Sequence, residues 1–250
     1  MIKKFIPNLI TLLNMLCGCI AVILAVENHL VFAAIFVGLG IFFDFFDGLA
    51  ARKLGVAGPL GVQLDSLADV ITSGVVPGIV MFQLMTQAFG GQTAGNVSSW
   101  ESHPVLQLNF PPVALLGLLI ALASGYRLAK FNIDTRQTSS FIGLPTPANA
   151  ILILSLPLIV AYQPSPRILT TIFSPWFLIT LTVFSSVLLN AELPLFSLKF
   201  KSWDFKTNWY RYVFLCFALV SLLMLQFLAL PLIILIYVLF SVLLHLMKKV

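Results

Sequence analysis

Charge is what this sequence has least of. Asp, Glu, Lys and Arg make up 9% of its 250 residues, against roughly 25% in a soluble domain. Cysteine and histidine are also scarce, at three each. Cys17 and Cys19 form a C-x-C pair poorly placed for a mutual disulfide, and Cys216 stands alone in another apolar run. No disulfide framework or thiolate metal site is therefore expected, and the three are read as small packing residues. His29, His103 and His245 fall at loop or chain ends without helical spacing to one another, so none receives a role. No internal repeat, low-complexity tract or second composition regime interrupts the chain. One domain over residues 1–250 is the expectation.

What is abundant is hydrocarbon: 60% of the residues are hydrophobic. A membrane-crossing helix needs about 20 mostly apolar residues, and eight such runs can be placed. They are Leu9 to Val26, Val31 to Ala51, Leu64 to Ala88, Val113 to Ala129, Thr146 to Tyr162, Ile168 to Leu189, Tyr212 to Leu228 and Pro231 to Leu246. Continuous runs of this length exclude barrel strands, which alternate and are about half as long. The fold class is all-α, a polytopic transmembrane helical bundle. Thirteen of the 14 Lys and Arg residues fall in segments that lie inside when both termini are cytoplasmic, and only Arg167 falls outside. That bias predicts an even span count and multi-pass insertion in the cell's inner membrane. The net charge of +5 reads as anchoring to anionic lipid, not as a nucleic-acid footprint. The opening "MIKKFIPNLITLLNMLCGCIAVILA" resembles a secretory signal only superficially, because its apolar run is long and broken by Asn14; the first span is expected to stay. Phe89 to Pro112 is read as a solvated outside connector. "SLKFKSWDFKTNWYRY", residues 197–212, is read as an anchor along the headgroups.

Against that background, "DFFDGLAARKLGVAGPLGVQLDSLAD", residues 44–69, holds four of the nine acidic residues. An Asp inside a span costs about 2.5 to 3.5 kcal/mol on insertion scales and marks a functional site by default. Asp44 and Asp47 are spaced i, i+3, with Gly48 and Ala51 on the same helical face. Gly61, Asp65, Asp69 and Ser73 follow at successive i+4 steps. Each helix thus presents carboxylates beside residues with little side chain, which leaves space for a ligand. Four facing carboxylates need a counter-charge in a low-dielectric site, and all-oxygen ligands favour hard divalent ions such as Mg2+ or Mn2+, enough here for a pair. Arg52 and Lys53 stand at the cytoplasmic end of the stripe, where phosphates would sit. The residues alone point to metal-assisted phosphate chemistry at the inner membrane face. A cation-binding site in a transporter is the alternative, disfavoured because the charges are confined to two adjacent helices without visible inverted repeats.

Aligned on Asp44, the stretch reads D-x2-D-G-x2-A-R-x8-G-x3-D-x3-D, with Asp44, Asp47, Gly48, Ala51, Arg52, Gly61, Asp65 and Asp69 in register. This resembles the signature of the CDP-alcohol phosphotransferases, membrane enzymes that move a phosphatidyl or phospho-base group from a CDP-linked donor to an alcohol and release CMP. The resemblance covers about the first six spans. It implies a catalytic core over residues 1–190 and an additional helical hairpin over 209–247, for packing or a homodimer contact. It further implies two metal ions on Asp44, Asp47, Asp65 and Asp69, with Asp69 also the base for the acceptor hydroxyl. Gly48 and Ala51 would admit the cytidine and Arg52 would meet the donor phosphates. "PNLIT" is similar to the family's opening, so Pro7, Asn8 and Thr11 would close the nucleotide pocket. Gly58 departs from the pattern: relatives commonly carry Ser or Thr there, and a donor contact at this point must come from backbone N–H.

Two later stretches bear on the acceptor. "RLAKFN", with Arg127, Lys130 and Asn132, and "GLPTPA", which opens the fifth span and precedes Asn149, resemble runs in the bacterial and archaeal membrane-type phosphatidylserine synthases. "LDSLAD" is similar to that branch too, and the resemblance implies Ser66 as a further CDP-diacylglycerol-binding residue. The resemblance implies CDP-diacylglycerol as donor and L-serine as acceptor, with Arg127 or Lys130 pairing the serine carboxylate and Asn132 its ammonium. Glycerol 3-phosphate, inositol phosphate and choline are the alternative acceptors for the same donor chemistry.

Overall fold

The computed structural model describes residues 2–90, 110–133, 141–196 and 204–247. Most of the connector at 89–112, His103 and residues 197–203 of the headgroup segment lie outside the described residues, as do Arg136, Lys199, Lys201, Lys248 and Lys249.

Helices α1 (Ile2–Val26) and α2 (Leu30–Lys53) form an antiparallel hairpin. Asn28 turns it with a φ of 62°, a left-handed conformation that Asn tolerates better than most residues. The two helices meet through Ala21, Ala25, Ala33, Ala34 and Val37, all buried. Such small side chains let helix backbones approach closely where lipid offers no hydrophobic drive between helices.

The next helix is α3 (Pro59–Asp69), which continues through a π-helical turn, Val70–Val75, into α4 (Val76–Ala88). Pro77 explains the widening. It has no N–H to offer the carbonyl four residues back and its ring crowds that position, so the helix passes the site with a π-turn. Pro59–Ala88 is the central element: 67% of its most apolar window is buried, against 33% for α1, α2 and Pro112–Ile133. Its 30 residues extend about 45 Å, more than a bilayer core of about 30 Å. Asp69 lies about 15 Å along the axis from Pro59.

A 3-10 turn, Pro112–Leu118, leads into α5 (Leu119–Ile133). It packs so closely on α4 that a Cβ on Gly117 would lie 2.6 Å from the Phe82 backbone nitrogen. Helix α6 (Thr146–Tyr162) is buried on most sides. The expected sixth span is not one straight helix. It is α7 (Pro166–Ile172) and α8 (Pro175–Asn190), bent by 59°. Pro175 drives Ser174 into an extended conformation and cannot continue the preceding ladder.

The segment after α8 forms a two-residue ribbon, β1 (Phe141–Ile142) against β2 (Pro194–Leu195), which the all-helical reading lacked. Helices α9 (Phe205–Leu225) and α10 (Ala229–Leu246) then reverse at Gln226, whose φ is 51°. Ring contacts Trp209–Phe240 and Phe214–Tyr237 establish the antiparallel pairing. Phe196 plugs one end of this hairpin, where its carbonyl accepts from Tyr237 Oη at 2.8 Å. At the other end Gln163, just after α6, bonds the Leu225 carbonyl and the Leu228 amide.

Polarity is distributed inside out. Asn14, Thr72, Ser73, Ser124, Asn149, Thr182 and Ser185 are fully buried, whereas Phe32, Phe42, Leu122, Val187 and Leu223 face outward. This suits a bundle solvated by lipid. Five segments are long and apolar enough to cross a membrane, or six with the bent pair counted as one. Eight is reached only if the 17-residue α6 and the two arms of Asn208–Leu246 count separately. Cys17 is buried, but Cys19 and Cys216 are exposed and all three are free. Residues two apart on a helix point to different sides, so the C-x-C pair does not pack into the core together.

Candidate active site

The two acidic helices deliver their side chains as their spacing requires. Carboxylate oxygens of Asp44 and Asp47 on α2 and Asp65 on α3 all lie within 4.8 Å of one another. Asp47 is buried and its Oδ2 has no hydrogen-bond partner among the described residues. No Lys or Arg pairs with this trio among the described residues. An orphaned buried oxygen inside a cluster of like charge fits a site built for a cation, and the donor set is the hard oxygen type that suits Mg2+ or Mn2+.

Asp69, one turn on from Asp65, is not among the three carboxylates that lie within 4.8 Å of one another. It is 9% exposed, and its Oδ1 accepts from Asn14 Nδ2 on α1 at 3.4 Å. The π-turn begins directly after Asp69 and changes the helical phase; Ser73 is buried with no hydrogen-bond partner among the described residues.

Beside the trio lies a cavity of about 440 Å³ between α1, the end of α2 and the start of α3. Pro7, Asn8, Thr11, Gly48, Ala51, Arg52, Gly58 and Gly61 line it together with Asp47 and Asp65. These are the donor-pocket residues expected from the sequence, Ser66 excepted, gathered from three helices. The α2–α3 turn contributes Val56 and Ala57, and the first turn of α3 contributes Leu60, which sequence reasoning missed. Arg52 is exposed and folds over Gly48, where an added Cβ would come within 3.8 Å of its guanidinium. Gly58 is the N-cap of α3 with an extended φ of −162°. A Cβ there would meet nothing closer than the Val56 carbonyl at 4.0 Å, so space does not dictate the departure from Ser or Thr.

Ser66 lies outside that cavity and faces α5. It exchanges hydrogen bonds with Asn132, at 2.9 Å from Asn132 Nδ2 and 3.2 Å to Asn132 Oδ1. The "LDSLAD" and "RLAKFN" motifs thus meet directly.

The other acceptor candidates have their own partners. Arg127, 7% exposed, donates from one terminal nitrogen to the carbonyls of Ile142 and Gly143, at 3.4 and 3.1 Å. Its Nε has no partner among the described residues, and its charge acts on Asp69. Gly143 has a φ of 75° and an added Cβ would strike the Leu189 carbonyl at 2.6 Å, so glycine is required where "GLPTPA" turns into α6. Lys130 pairs with Glu192 at 3.4 Å in an exposed bridge of little energetic weight. Asn149 is fully buried, and neither its oxygen nor its nitrogen has a partner among the described residues.

Comparison with known proteins agrees with this arrangement. A family model described as CDP-alcohol phosphatidyltransferase matches residues 4–196. The chain is 33% identical over 145 residues to the CDP-diacylglycerol–serine O-phosphatidyltransferase of Bacillus subtilis (strain 168), a match spanning 58% of this chain and 70% of that one. It is 32% identical over 153 residues to the archaetidylserine synthase of Methanothermobacter thermautotrophicus, covering 60% of this chain and 56% of the relative. With the CDP-diacylglycerol–serine O-phosphatidyltransferase of Methanocaldococcus jannaschii the identity is 32% over 149 residues, covering 60% and 58%. The chain therefore spans less than two thirds of the two archaeal relatives.

Proposed function

The chain belongs to the CDP-alcohol phosphatidyltransferase family, and from that premise we propose that it transfers the phosphatidyl group of CDP-diacylglycerol to L-serine, giving phosphatidylserine and CMP. The observation that carries the donor half is the convergence of Asp44, Asp47 and Asp65 at the mouth of the cavity that Arg52 covers. The acceptor half is supported by the names of the relatives and by the Ser66–Asn132 pair, which brings the acceptor motif to the acidic helix.

In this reading the cavity takes the CDP moiety, with Asn8 and Thr11 from α1 and Gly48, Ala51 and Gly61 leaving room for the nucleotide. Arg52 and the backbone at Gly58 meet the pyrophosphate. Asp44, Asp47 and Asp65, with Asp69, hold the divalent ions, whose contribution when bound is to neutralise the phosphate oxygens and the leaving CMP. Asp69 takes the proton as the serine hydroxyl oxygen forms its bond to the phosphorus that carries diacylglycerol and the bridge to CMP breaks. A hydroxyl of such high pKa needs a base at hand when attack occurs. Arg127, through its partnerless Nε, and Asn132 are the groups assigned to the serine carboxylate and ammonium, while Lys130 is the weaker candidate because Glu192 engages it.

The topology proposed with this function has eight spans, both termini cytoplasmic and the acidic site facing the cytoplasm. Arg52 and Lys53 end α2 on the same side as the acidic site, which supports that orientation. We take residues 1–190 as the catalytic core and 209–247 as an added hairpin whose outward Leu219 and Leu223 suit a homodimer contact. Membranes containing the chain, given CDP-diacylglycerol, Mn2+ or Mg2+ and radiolabelled L-serine, are expected to yield labelled phosphatidylserine that disappears when the donor is omitted. Label incorporation that ignores the donor would refute the reading.

A further inference from the structure

We propose that Asn14 and Thr72 form a positioning pair that orients the Asp69 carboxylate toward the acceptor hydroxyl. The inference rests on the reading of Asp69 as the proton acceptor. Neither residue belongs to the D-x2-D-G signature, and neither lines the donor cavity.

Asn14 sits in the apolar run "LLNMLCG" of α1 and is fully buried. A primary amide in such a place is unfavourable unless its polar atoms are matched. Both of its ends are matched, to different residues of one helix turn. Its Nδ2 donates to Asp69 Oδ1 at 3.4 Å, and its Oδ1 accepts from Thr72 Oγ1 at 2.9 Å. The same hydroxyl also reaches the Asn14 backbone carbonyl at 3.3 Å. The order of donors is what matters. An ionised carboxylate only accepts, so Asp69 takes the amide nitrogen, and the amide oxygen is left to receive the single proton of the Thr72 hydroxyl. The reverse amide orientation would set two oxygens against each other. Thr72 anchors the amide in that orientation, and Asn14 holds one oxygen of Asp69, leaving the other oxygen for a substrate proton. The contact of Asn14 to Asp69 is long, as hydrogen bonds to catalytic groups commonly are before substrate binds.

Two further observations set Thr72 apart from an ordinary helical threonine. Thr11, Thr86, Thr170, Thr171 and Thr182 each donate to the carbonyl four residues earlier in their own helix. Thr72 instead crosses to α1, from within the π-turn that directly follows Asp69. The space for the pair is provided by glycine on both neighbouring helices. A Cβ on Gly40 of α2 would lie 2.6 Å from Thr72 Cγ2 and 2.8 Å from Asn14 Oδ1. One on Gly18 of α1 would lie 2.5 Å from Thr72 Oγ1. Three helices thus converge beside Asp69 to seat this polar pair.

The test compares Thr72→Val, which keeps the shape and removes the donor, with Thr72→Ser, which restores the donor. Both are made in the full chain and assayed for CMP release alongside the native chain. Thr72→Val is expected to lower kcat by about tenfold or more, with KM for CDP-diacylglycerol and L-serine and the half-saturating Mg2+ concentration within about twofold. Thr72→Ser is expected to recover most of the lost kcat. Asn14→Leu should reproduce the Thr72→Val signature more strongly; if it fails to fold, the Thr72 pair alone decides. A native kcat in Thr72→Val, equal impairment in Thr72→Ser, or a loss confined to KM or metal dependence would overturn the positioning role. A native chain that releases no CMP would refute the transferase reading itself, which separates the two failures.

Discussion

Asp69→Asn is expected to reduce kcat by about 10²- to 10⁴-fold, the range that a positioned general base contributes. The substitution is nearly isosteric, so the helix, the π-turn and the contact to Asn14 should survive. What is lost is the ability of the second oxygen to accept a proton from the attacking hydroxyl. Asp69 is also assigned to the metal site, so part of the loss would come from weaker ion binding. Assay at saturating Mg2+ or Mn2+ isolates the base: a residual loss of a hundredfold or more is expected there. Activity within about tenfold of the native chain under those conditions would reduce Asp69 to a ligand or a structural group.

Removal of divalent ions with a chelator is expected to stop CMP release, and readdition of Mg2+ or Mn2+ to restore it. The physical reason is the repulsion inside the trio. Two carboxylates no more than 4.8 Å apart repel by about 3 kcal/mol even at an effective dielectric of about 20. Among the described residues no Lys or Arg side chain offsets that repulsion. Asp44→Asn and Asp65→Asn each remove one charge and one ligand, and the ion concentration for half-maximal activity should rise by about tenfold or more. Asp47→Asn should do the same, since its Oδ2 is buried without another partner among the described residues. Full turnover in chelator would contradict the metal assignment.

Much of this site was legible in the sequence because helical periodicity is a local property. Asp44 with Asp47, and Gly61 with Asp65, share faces in any α-helix, and the short Gly-Pro turn between them left only an adjacent pairing. The donor cavity gathers the residues that pattern named. Prediction weakened where the helix stops being regular. Pro77 imposes a π-turn over Val70–Val75, directly after Asp69, an effect propagated backwards along the chain. Thr72 and Asn14 escaped notice for a different reason: their significance lies in a contact between helices 58 residues apart in sequence. A lone Asn in an apolar run signals that some partner exists without naming it. The bend before Pro175 was readable from that proline and was missed because hydropathy continues unbroken across it. The short β1–β2 ribbon leaves no periodic trace at all. Arg127 shows the opposite case. The sequence suggested a substrate contact, and its position supplies a structural bond to the Gly143 turn as well, with Nε still available.

The central claim is that one site joins CDP-diacylglycerol to L-serine. The most direct measurement is CMP release by the purified chain, given CDP-diacylglycerol and Mn2+ or Mg2+ with one acceptor at a time. Release with L-serine, and none above background with glycerol 3-phosphate, inositol phosphate or choline, is the expected result. Release with one of the other acceptors and not with L-serine would contradict the account of the acceptor site. No release with any of them would contradict the account as a whole.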